Sequence, residues 1–418
     1  MSRVLLLTNR YPFAPGEEYL HTEIPYLATE FDEVLVLPLM RAPGTTHQRE
    51  LPANVTVLDL QVQHGWKVRA RLLADGLRMK VDAPDATSLK QRAYERYFAA
   101  RTTNLTDAAT PVVKRALAER SGGVDVIYAY WFYVTTSVAI GLRQLLPQLR
   151  DVPIVARGHG YDVNEAASPV GYLPQRRRML TEVSRLHPTA DTITERLRSE
   201  WPQFADKIST RRLGVVPPGV GERSNDGPLR VLSCSSLSPI KRLDLMARAV
   251  AECRRRGIDI EWTHLGAGTP RQESQLRKTI EQEGVIDAVR RPGQMSNTEV
   301  YEVLRTGGHT VFLNTSSSES VSFSMSEAMG AGLPVVGTDV VGTHEILRDD
   351  HNGRLIEANP SPAAVADALD WIRTRTPQQY RELCAASEAT CRELLDPATL
   401  YHDFAAGLRA SGSLPHER

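Results

Sequence analysis

Short runs of apolar and β-branched residues alternate with helical patterns along most of the chain. This alternation predicts parallel sheets, because consecutive parallel strands need a crossover connection, which is usually a helix. The predicted strands are Val4–Thr8, Glu33–Leu37, Val55–Leu58, Val126–Tyr130, Ile154–Ala156, Leu229–Ser233, Glu261–Leu265, Thr310–Asn314 and Pro334–Gly337. We therefore predict an α/β fold of doubly wound parallel sheets with helices on both faces.

A stretch rich in Pro and Gly, residues 215–228, separates two groups of predicted strands. We predict a first domain over residues 1–217, a linker over 218–228, a second domain over 229–395, and a C-terminal helix and tail over 396–418. Two such domains of similar size predict a cleft between them. Doubly wound sheets bind ligands outside the carboxyl ends of their strands, so the residues directly after strands are the candidates for chemistry.

The composition excludes several classes of protein. The 418 residues include 50 Lys and Arg and 50 Asp and Glu, and this balance argues against a polycationic nucleic-acid binder. The four cysteines show neither a C-x-x-C pair nor the spacing of a disulfide framework, which fits a reducing cytoplasm. No signal-peptide pattern and no membrane-spanning apolar stretch occurs in the sequence, so we expect a cytoplasmic protein.

The segment 66–101 interrupts the alternation with a surplus of positive charge. Its basic residues are Lys67, Arg69, Arg71, Arg78, Lys80, Lys90, Arg92, Arg96 and Arg101, and its acidic residues are Asp75, Asp82, Asp85 and Glu95. A basic helical insert with interspersed aromatic residues is able to touch anionic lipid or an anionic acceptor, which predicts peripheral association with the inner face of the membrane. A solvated helical face packed on the first sheet explains the same pattern.

Common signatures of phosphate binding and hydrolysis are absent from the sequence. It contains no G-x-G-x-x-G, P-loop, G-x-S-x-G or H-E-x-x-H motif. It also contains no D-x-D pair, which is one means of holding Mg²⁺ or Mn²⁺ on a nucleotide diphosphate. We therefore expect no metal and no cofactor, and cationic side chains and helix N-termini would have to meet any diphosphate.

The second domain offers cations of this kind directly after its first strand. Lys241 and Arg242 precede a predicted helix, Leu243–Ala251. Lys can act as a point charge and Arg as a fork on a leaving diphosphate. A solvated pair near a helix start explains this segment equally simply.

The segment after strand Thr310–Asn314 carries two glutamates eight residues apart, Glu319 and Glu327. A carboxylate past a strand end, followed by open amides at a helix start, suits a sugar nucleotide: Glu319 would accept from sugar hydroxyls and Glu327 from a ribose diol. In the structural alternative, Ser324 and Glu327 form a capping box at the start of the helix. Glycines after other strand ends, Gly266 and Gly293, support a ligand only weakly.

In the first domain, His159 lies between two glycines directly after strand Ile154–Ala156. We expect this imidazole to be exposed at the ligand-binding edge of the sheet, where it can donate or accept a hydrogen bond at neutral pH. A structural histidine would give the same pattern. Asp162, three residues later, is expected at most to cap the next turn of the chain.

These segments, in this order, resemble the retaining sugar-nucleotide glycosyltransferases of glycosyltransferase family 4, and the resemblance covers nearly the whole chain. The matching residues are Pro12 to Gly16, Gly158-His159-Gly160, Pro217-Pro218-Gly219-Val220, Lys241, Gly266 and Gly268, Glu319 and Glu327 with Ala328-Met329 and Gly332-x-Pro334, and Gly342-Thr343-x-Glu345. The resemblance implies the GT-B architecture, in which two Rossmann-like domains face each other across a cleft. It also implies independence of metal, with the donor held mainly by the second domain and the acceptor by the first.

The resemblance also assigns roles to single residues. The positions it implies in donor binding or catalysis are Lys241 at the diphosphate, Glu327 at the ribose, Glu319 with the amides of Ser320, Val321, Ser322, Phe323 and Ser324 at the donor sugar, His159 at the same sugar, and Gly16 at the junction of phosphate and acceptor. Arg242 would substitute for the second diphosphate cation that the family usually has. The glycine-bearing loops add Gly266 and Gly293 on the donor side. Three features depart from the family: Ser235-Ser236 replaces the usual Gly-Arg, Ser320-Val-Ser322 replaces Gly-x-Gly, and the basic insert 66–101 is not general.

The function expected from these observations is transfer of a sugar from a UDP or GDP sugar to a hydroxyl acceptor in polysaccharide, glycolipid or natural-product synthesis. The anomeric configuration would be retained by same-face attack, with the departing phosphate oxygen taking the acceptor's proton. The alternatives are a sugar-nucleotide 2-epimerase and a non-catalytic nucleotide-sugar-binding subunit. No residue of the acceptor site is predicted.

Overall fold

The computed structural model describes residues 1–13, 16–41, 44–45 and 48–412. They form two compact units: residues 1–214 with the C-terminal helix that begins at Pro397, and residues 215–396. The division after Gly214 lies three residues before the predicted domain end at Pro217. The predicted linker, 218–228, lies within the second unit, and the final helix lies in the first.

The first unit is built on a six-stranded parallel sheet with the strand order β3-β2-β1-β4-β5-β6. Its strands are β1 Arg3–Thr8, β2 Glu33–Pro38, β3 Val55–Val57, β4 Val126–Ala129, β5 Ile154–Gly158 and β6 Arg185–Pro188. Val4 pairs with Val34 on one side and with Val126 on the other. Every residue of β1, β4 and β5 is buried, as expected for central strands that are covered on both faces.

The second unit contains another six-stranded parallel sheet, with the order β12-β11-β10-β7-β8-β9. Its strands are β7 Leu229–Cys234, β8 Ile260–Leu265, β9 Val289–Gly293, β10 Val311–Asn314, β11 Val335–Thr338 and β12 Gly353–Ile356. Neighbouring residues of one strand enter different apolar clusters: Val231 lies in one and Leu232 in the other. The side chains alternate between the two faces of a strand, so both faces of this sheet carry a core.

Helices cover both sheets, as the alternation of patterns predicts. They are α1 Leu20–Glu30, α2 Trp66–Arg78, α3 Leu89–Ala118, α4 Val134–Leu145, α5 Arg176–Glu182, α6 Asp191–Glu200, α7 Leu243–Arg255, α8 Pro270–Gln282, α9 Asn297–Thr306, α10 Phe323–Gly330, α11 Pro362–Arg373, α12 Pro377–Leu395 and α13 Pro397–Gly412. Within the described ranges, none of these helices is long and apolar enough to cross a membrane.

The basic segment 66–101 forms α2 and the first part of α3. Leu72 of α2 is buried, whereas Trp66, Leu73 and Leu77 are 75%, 53% and 70% exposed. These three exposed residues are spaced by seven and four positions, so they share one face of the helix. The segment is therefore packed on one face and presents an apolar stripe on another.

Candidate active site

The loops after β7, β8 and β10 meet at the carboxyl edge of the second sheet. A glycine at position 266 permits this approach, because a Cβ there would lie only 2.0 Å from the carbonyl oxygen of Ser235. The Gly266 amide also donates to the carbonyl of Gly293 at 2.8 Å. The two glycines predicted on the donor side thus shape the edge through backbone contacts.

Lys241 and Glu319 are brought into direct contact at this edge. A short 3₁₀ turn, Pro239–Lys241, ends at the lysine, whose Nζ lies 2.5 Å from Glu319 Oε1. Ser316 Oγ donates to the same oxygen at 2.7 Å. Both side chains of the pair retain some solvent exposure, and a small gap of about 10 Å³ lies beside them. The pair is a partly accessible ion pair in which an anionic ligand can replace the carboxylate.

Arg242, which the sequence analysis also places at the diphosphate, holds the neighbouring loop. Its guanidinium donates to the backbone carbonyls of Thr315 and Ser316, the latter at 2.9 Å, and to Asn359 Oδ1 at 3.2 Å. Burial lowers the pKa of this arginine. In this structure the side chain therefore supports the turn that positions Ser316 beside Glu319.

The segment 320–324 leads into α10, which begins at Phe323 with Ser322 at the N-cap. The Ser322 hydroxyl makes no capping bond to the helix and instead accepts from Asn314 Nδ2 at 3.0 Å. The dipole of this helix start is thus left without its usual side-chain cap. Gly342 packs against the same segment: a Cβ at this position would lie 1.5 Å from the Ser320 carbonyl oxygen.

The capping-box alternative for Ser324 and Glu327 is wrong. Ser324 lies inside the first turn of α10 rather than at its cap. Glu327 instead accepts a hydrogen bond from the Tyr301 hydroxyl of α9 at 3.2 Å. Burial raises the pKa of Glu327 to about 7, and the bond from Tyr301 acts in the opposite direction. This carboxyl group is therefore poised to change its charge near neutral pH.

Glu327 lies at the same edge as Lys241. Both side chains act electrostatically on the thiol of Cys234, the last residue of β7. Burial raises the pKa of this thiol to about 12, so Cys234 stays a neutral neighbour. The second unit thus gathers a cation, two carboxylates and an uncapped helix start at the carboxyl ends of β7 and β10.

The carboxyl edge of the first sheet is organised by Glu17, a residue that the sequence analysis missed. Its buried carboxylate accepts from the backbone amides of Asn9, Arg10 and Tyr11 at 2.9, 2.6 and 2.7 Å. It also accepts from the indole nitrogen of Trp131 at 2.7 Å, which joins the loop after β1 to the loop after β4. In the sequence, only its neighbour Gly16 pointed to a functional role for the loop after β1.

Gly16, placed by the resemblance at the junction of phosphate and acceptor, lies directly before Glu17. Its amide donates to Glu18 Oε1 at 2.7 Å, and its carbonyl accepts from Arg49 at 3.3 Å. Arg49 in turn pairs with Glu18 at 3.1 Å. Ala14 and Pro15, which complete the predicted Pro-Gly loop, lie outside the described residues.

His159 is buried, with only 6% of its surface exposed, so the prediction of an exposed imidazole is wrong. The rings of Trp131 and Tyr130 pack on it at centroid distances of 4.4 and 4.6 Å. Its Nε2 lies 2.8 Å from the Tyr130 carbonyl oxygen, so this nitrogen carries the proton and Nδ1 is left as an acceptor. Burial, assisted by nearby Arg157, lowers the pKa of His159 to about 3.

Asp162 does more than cap the next turn. Its Oδ1 accepts from the amides of His159 and Gly160 at 2.9 and 2.8 Å. Its Oδ2 accepts from the Phe132 amide at 3.0 Å. The fully buried carboxylate therefore ties the loop after β5 to the loop after β4 and orients the backbone that carries the imidazole.

No group of three His, Cys, Asp or Glu side chains is arranged to hold a metal ion within the part of the chain that the structure describes. Comparison with known proteins shows a family likeness over part of the chain. Residues 221–385 match the family model of glycosyl transferases group 1, and the match includes Lys241, Glu319 and Glu327. This part of the chain is therefore similar to group 1 glycosyltransferases.

The curated relatives of the chain are distant. The chain is 27% identical to a D-inositol 3-phosphate glycosyltransferase of Paenarthrobacter aurescens over 287 residues, which cover 62% of this chain and 67% of that protein. The chain spans about half or less of the length of four other curated relatives that it matches.

Solved structures resemble the chain over almost its full length. Sucrose-phosphate synthase of Thermosynechococcus elongatus has a TM-score of 0.73 at 15% identity, and the match covers 98% of this chain and 99% of that one. HepE of Anabaena, in complex with UDP, has a TM-score of 0.65 at 16% identity and covers 98% and 100%. This likeness shows the fold: two Rossmann-like domains of the GT-B type, as predicted from the sequence.

Proposed function

We propose that this protein transfers a sugar from a UDP-type nucleotide sugar to a hydroxyl acceptor, with retention of configuration and without a metal ion. The observation that carries the proposal is the cluster of Lys241, Glu319 and Glu327 at the carboxyl edge of the second sheet. The cluster lies within the group 1 glycosyltransferase match. The solved structure of HepE in complex with UDP supports uracil as the nucleobase of the donor.

Each part of the cluster suits one part of a nucleotide sugar. Lys241 supplies a positive charge for the diphosphate, and the start of α10 adds the positive end of its dipole. Glu327, once ionised, accepts from the two hydroxyls of a ribose. Glu319 is released when phosphate oxygens take over Lys241, and it can then accept from hydroxyls of the donor sugar.

The charges that develop during sugar transfer determine which groups of the protein stabilise the reaction. When the bond between the anomeric carbon and the phosphate oxygen breaks, its electron pair stays on the diphosphate, which Lys241 and the helix start stabilise. The acceptor oxygen bonds to the anomeric carbon on the same face, and its proton passes to the departing phosphate oxygen. His159, neutral at physiological pH, takes no part as an acid; its Nδ1 is suited to accept from a sugar hydroxyl.

The test is thermal stabilisation by nucleotides in the presence of a chelator. We expect UDP to raise the melting temperature by several degrees, because a ligand at about 100 times its Kd stabilises the folded state by about 2.7 kcal/mol. Lys241→Gln should remove most of this rise, whereas Lys278→Gln, an exposed position on α8, should keep it. The assay is then extended to turnover of the UDP sugar with an alcohol acceptor.

Two results would overturn the proposal. One is a melting temperature that no nucleoside diphosphate changes. The other is turnover that the chelator abolishes and manganese restores, since this would place a metal ion where the proposal uses Lys241. Conversion of the UDP sugar without an acceptor would indicate epimerisation instead of transfer.

We also propose that α2 contacts the membrane surface, so that the acceptor is lipid-linked or otherwise anionic. The exposed stripe of Trp66, Leu73 and Leu77 would enter the interface, with Lys67 and Arg71 beside it facing anionic lipid. The partition coefficient onto vesicles containing phosphatidylglycerol, measured by cosedimentation, should fall about thirtyfold for the double variant Trp66→Ala and Leu77→Ser, since each of the two lost apolar contacts costs about 1 kcal/mol. Equal sedimentation of wild type and variant would exclude this contact.

A further inference from the structure

The first unit contains a cavity of about 220 Å³ that the proposed reaction does not use. It lies between the chain after β2 and β3, which includes Met40 and residues 62–65, and the helices α2 and α3. A volume of this size accommodates a small polar group together with a few methylene groups. The cavity is therefore large enough to bind part of a small ligand.

The cavity is lined by two arginines, Arg69 of α2 and Arg101 of α3. Arg101 is partly buried, and the hydrogen bond found for it goes to Met40 Sδ at 3.4 Å, a weak acceptor. Among the described residues, neither arginine forms an ion pair with a carboxylate, and none of those lining the cavity is Asp or Glu. The cavity is therefore positively charged and lacks a counter-charge from the described protein.

Arg157, a fully buried arginine elsewhere in the first unit, finds all its partners within the chain. Arg157 donates to the Tyr128 hydroxyl at 2.8 Å and to the Arg211 carbonyl at 3.0 Å, and it pairs with Glu23 at 3.3 Å. Buried charges are normally compensated in this manner. Arg101 is partly exposed and has no carboxylate beside it among the described residues, so an anion from solution can take the position that Glu23 holds beside Arg157.

The remaining walls of the cavity are largely apolar. They include Val62, Val68, Leu72 and Leu105. Gly65 also lines the cavity and directly precedes Trp66, which belongs to the exposed apolar stripe of α2. A ligand that contacts both the arginines and the apolar residues of the cavity would carry an anionic group and an apolar chain.

Arg101 lines the cavity and also lies near the carboxyl edge of the first sheet. The guanidinium acts electrostatically on the hydroxyls of Tyr133 and Tyr161. Tyr133 comes after β4 and Tyr161 after β5, so both lie at the carboxyl edge of the first sheet. A ligand whose anionic group reaches Arg101 can therefore extend toward the edge at which Rossmann-like domains bind substrates.

We propose that this cavity binds the phosphate of an amphiphilic acceptor, with Arg69 and Arg101 as the phosphate ligands and the apolar wall against the first part of its chain. The assignment of this amphiphile as the acceptor rests on the proposed transferase function, whereas the binding itself does not. The inference specifies the acceptor as a lipid that carries both this phosphate and the hydroxyl that receives the sugar.

Direct binding of decyl phosphate, below its critical micelle concentration, tests this inference by isothermal titration. We expect binding by the wild type and a Kd raised about tenfold in Arg101→Gln, which is the loss of one charge-assisted hydrogen bond. Arg69→Gln, at an exposed position, should weaken binding in the same direction. Arg92→Gln, which removes an equal charge from an exposed position of α3 outside the cavity, should bind like the wild type.

Three results would overturn the inference. Decyl glucoside, a neutral amphiphile with the same chain, should bind far more weakly, and equal binding would show that the phosphate is irrelevant. Inorganic phosphate that binds as tightly as decyl phosphate would indicate a soluble anion as the occupant. Equal weakening by Arg92→Gln and Arg101→Gln would show attraction by general surface charge without a built site.

The same variants keep this inference separate from the proposed function. Arg101 lies in the first unit, so Arg101→Gln should retain the full thermal response to UDP. Loss of decyl phosphate binding with that response intact confirms the cavity as an independent site. A wild type that responds to UDP but does not bind decyl phosphate refutes the cavity site alone, and one that binds decyl phosphate but does not respond to UDP refutes the transferase proposal alone.

Discussion

The carboxyl edges of the two sheets hold their polar groups in different ways. In the first unit, the carboxylates of Glu17 and Asp162 are buried and bonded to backbone amides, and His159 is neutral between aromatic rings. In the second unit, the Lys241–Glu319 pair is partly accessible, and Glu327 has a pKa near 7. The first edge is a closed network apart from His159 Nδ1, while at the second edge we expect a ligand to replace partners that the chain supplies.

This difference separates two kinds of contribution to function. A polar group whose partners all belong to the chain mainly fixes the positions of loops, so its removal costs stability. A charged group with a single exchangeable partner is available to a substrate, so its removal costs binding and turnover. We therefore expect substitutions at the first edge to destabilise the fold and those at the second edge to change ligand affinity and its pH dependence.

The largest effect is expected for Glu17→Ala. The substitution leaves the amides of Asn9, Arg10 and Tyr11 without their acceptor, and each buried unpaired group costs about 1–3 kcal/mol. The total loss of stability should be about 4 kcal/mol in urea denaturation. Glu18→Ala is the matched control: it removes a carboxylate that is 43% exposed and should cost about 1 kcal/mol or less. Equal effects of the two substitutions would contradict the closed network.

The second effect concerns Glu327 and pH. The pKa of Glu327 is about 7 in the folded state and 4.5 in the unfolded reference, so the folded state binds the proton more tightly. Its contribution to stability is complete below pH 4.5 and is lost as the pH rises through 7. After allowance for solvent at a partly accessible site, we expect the wild type to lose about 2 kcal/mol relative to Glu327→Gln between pH 5 and 8.

The affinity for UDP should depend on the ionisation of Glu327 as well, but it should rise with pH where the stability falls. A ribose diol needs the ionised carboxylate as acceptor, so the affinity for UDP should rise between pH 6 and 8 in the wild type and stay level in Glu327→Gln. Thermal scans and titrations over this pH range measure both effects. A wild type and variant with parallel pH profiles would show that Glu327 does not titrate near neutrality.

The sequence predicts the central strands better than the edges of each sheet. All nine predicted strands are present, with ends that differ by one or two residues. The three strands that were not predicted, β6, β9 and β12, lie at sheet edges. Such strands are less enclosed and tolerate polar residues, for example Arg185 in β6 and Arg290 in β9, which interrupt the apolar run that marks a buried strand.

Within the candidate site, only the residues that directly follow strand ends, or that the resemblance marks, could be predicted from the sequence. Lys241, Glu319 and Glu327 lie where the strand pattern and the resemblance place them on the chain. The burial of His159 was not predictable, because Tyr130 and Trp131, which bury it, come directly after a different strand, β4. Tyr301 was missed for the same reason: its contact with Glu327 joins two helices and leaves no local signal.

The smallest expected effect tests whether the Lys241–Glu319 pair is exchangeable. Glu319→Gln removes the charge that holds Lys241 at 2.5 Å and leaves the lysine free for the diphosphate. For a partly accessible pair worth about 1 kcal/mol, the affinity for UDP should increase about fivefold. The affinity for UDP and the turnover of the UDP sugar should then change in opposite directions, because the donor sugar loses an acceptor for its hydroxyls.

Titration of UDP together with initial rates of UDP-sugar consumption measures the two changes in Glu319→Gln. Glu302→Gln, which removes a carboxylate paired with Arg305 on the exposed face of α9, serves as the control and should leave both quantities unchanged. A fall in UDP affinity in Glu319→Gln would show that the pair positions Lys241 for the phosphate and does not compete with it. In that case the second edge would resemble the first, with partners fixed by the chain before the ligand arrives.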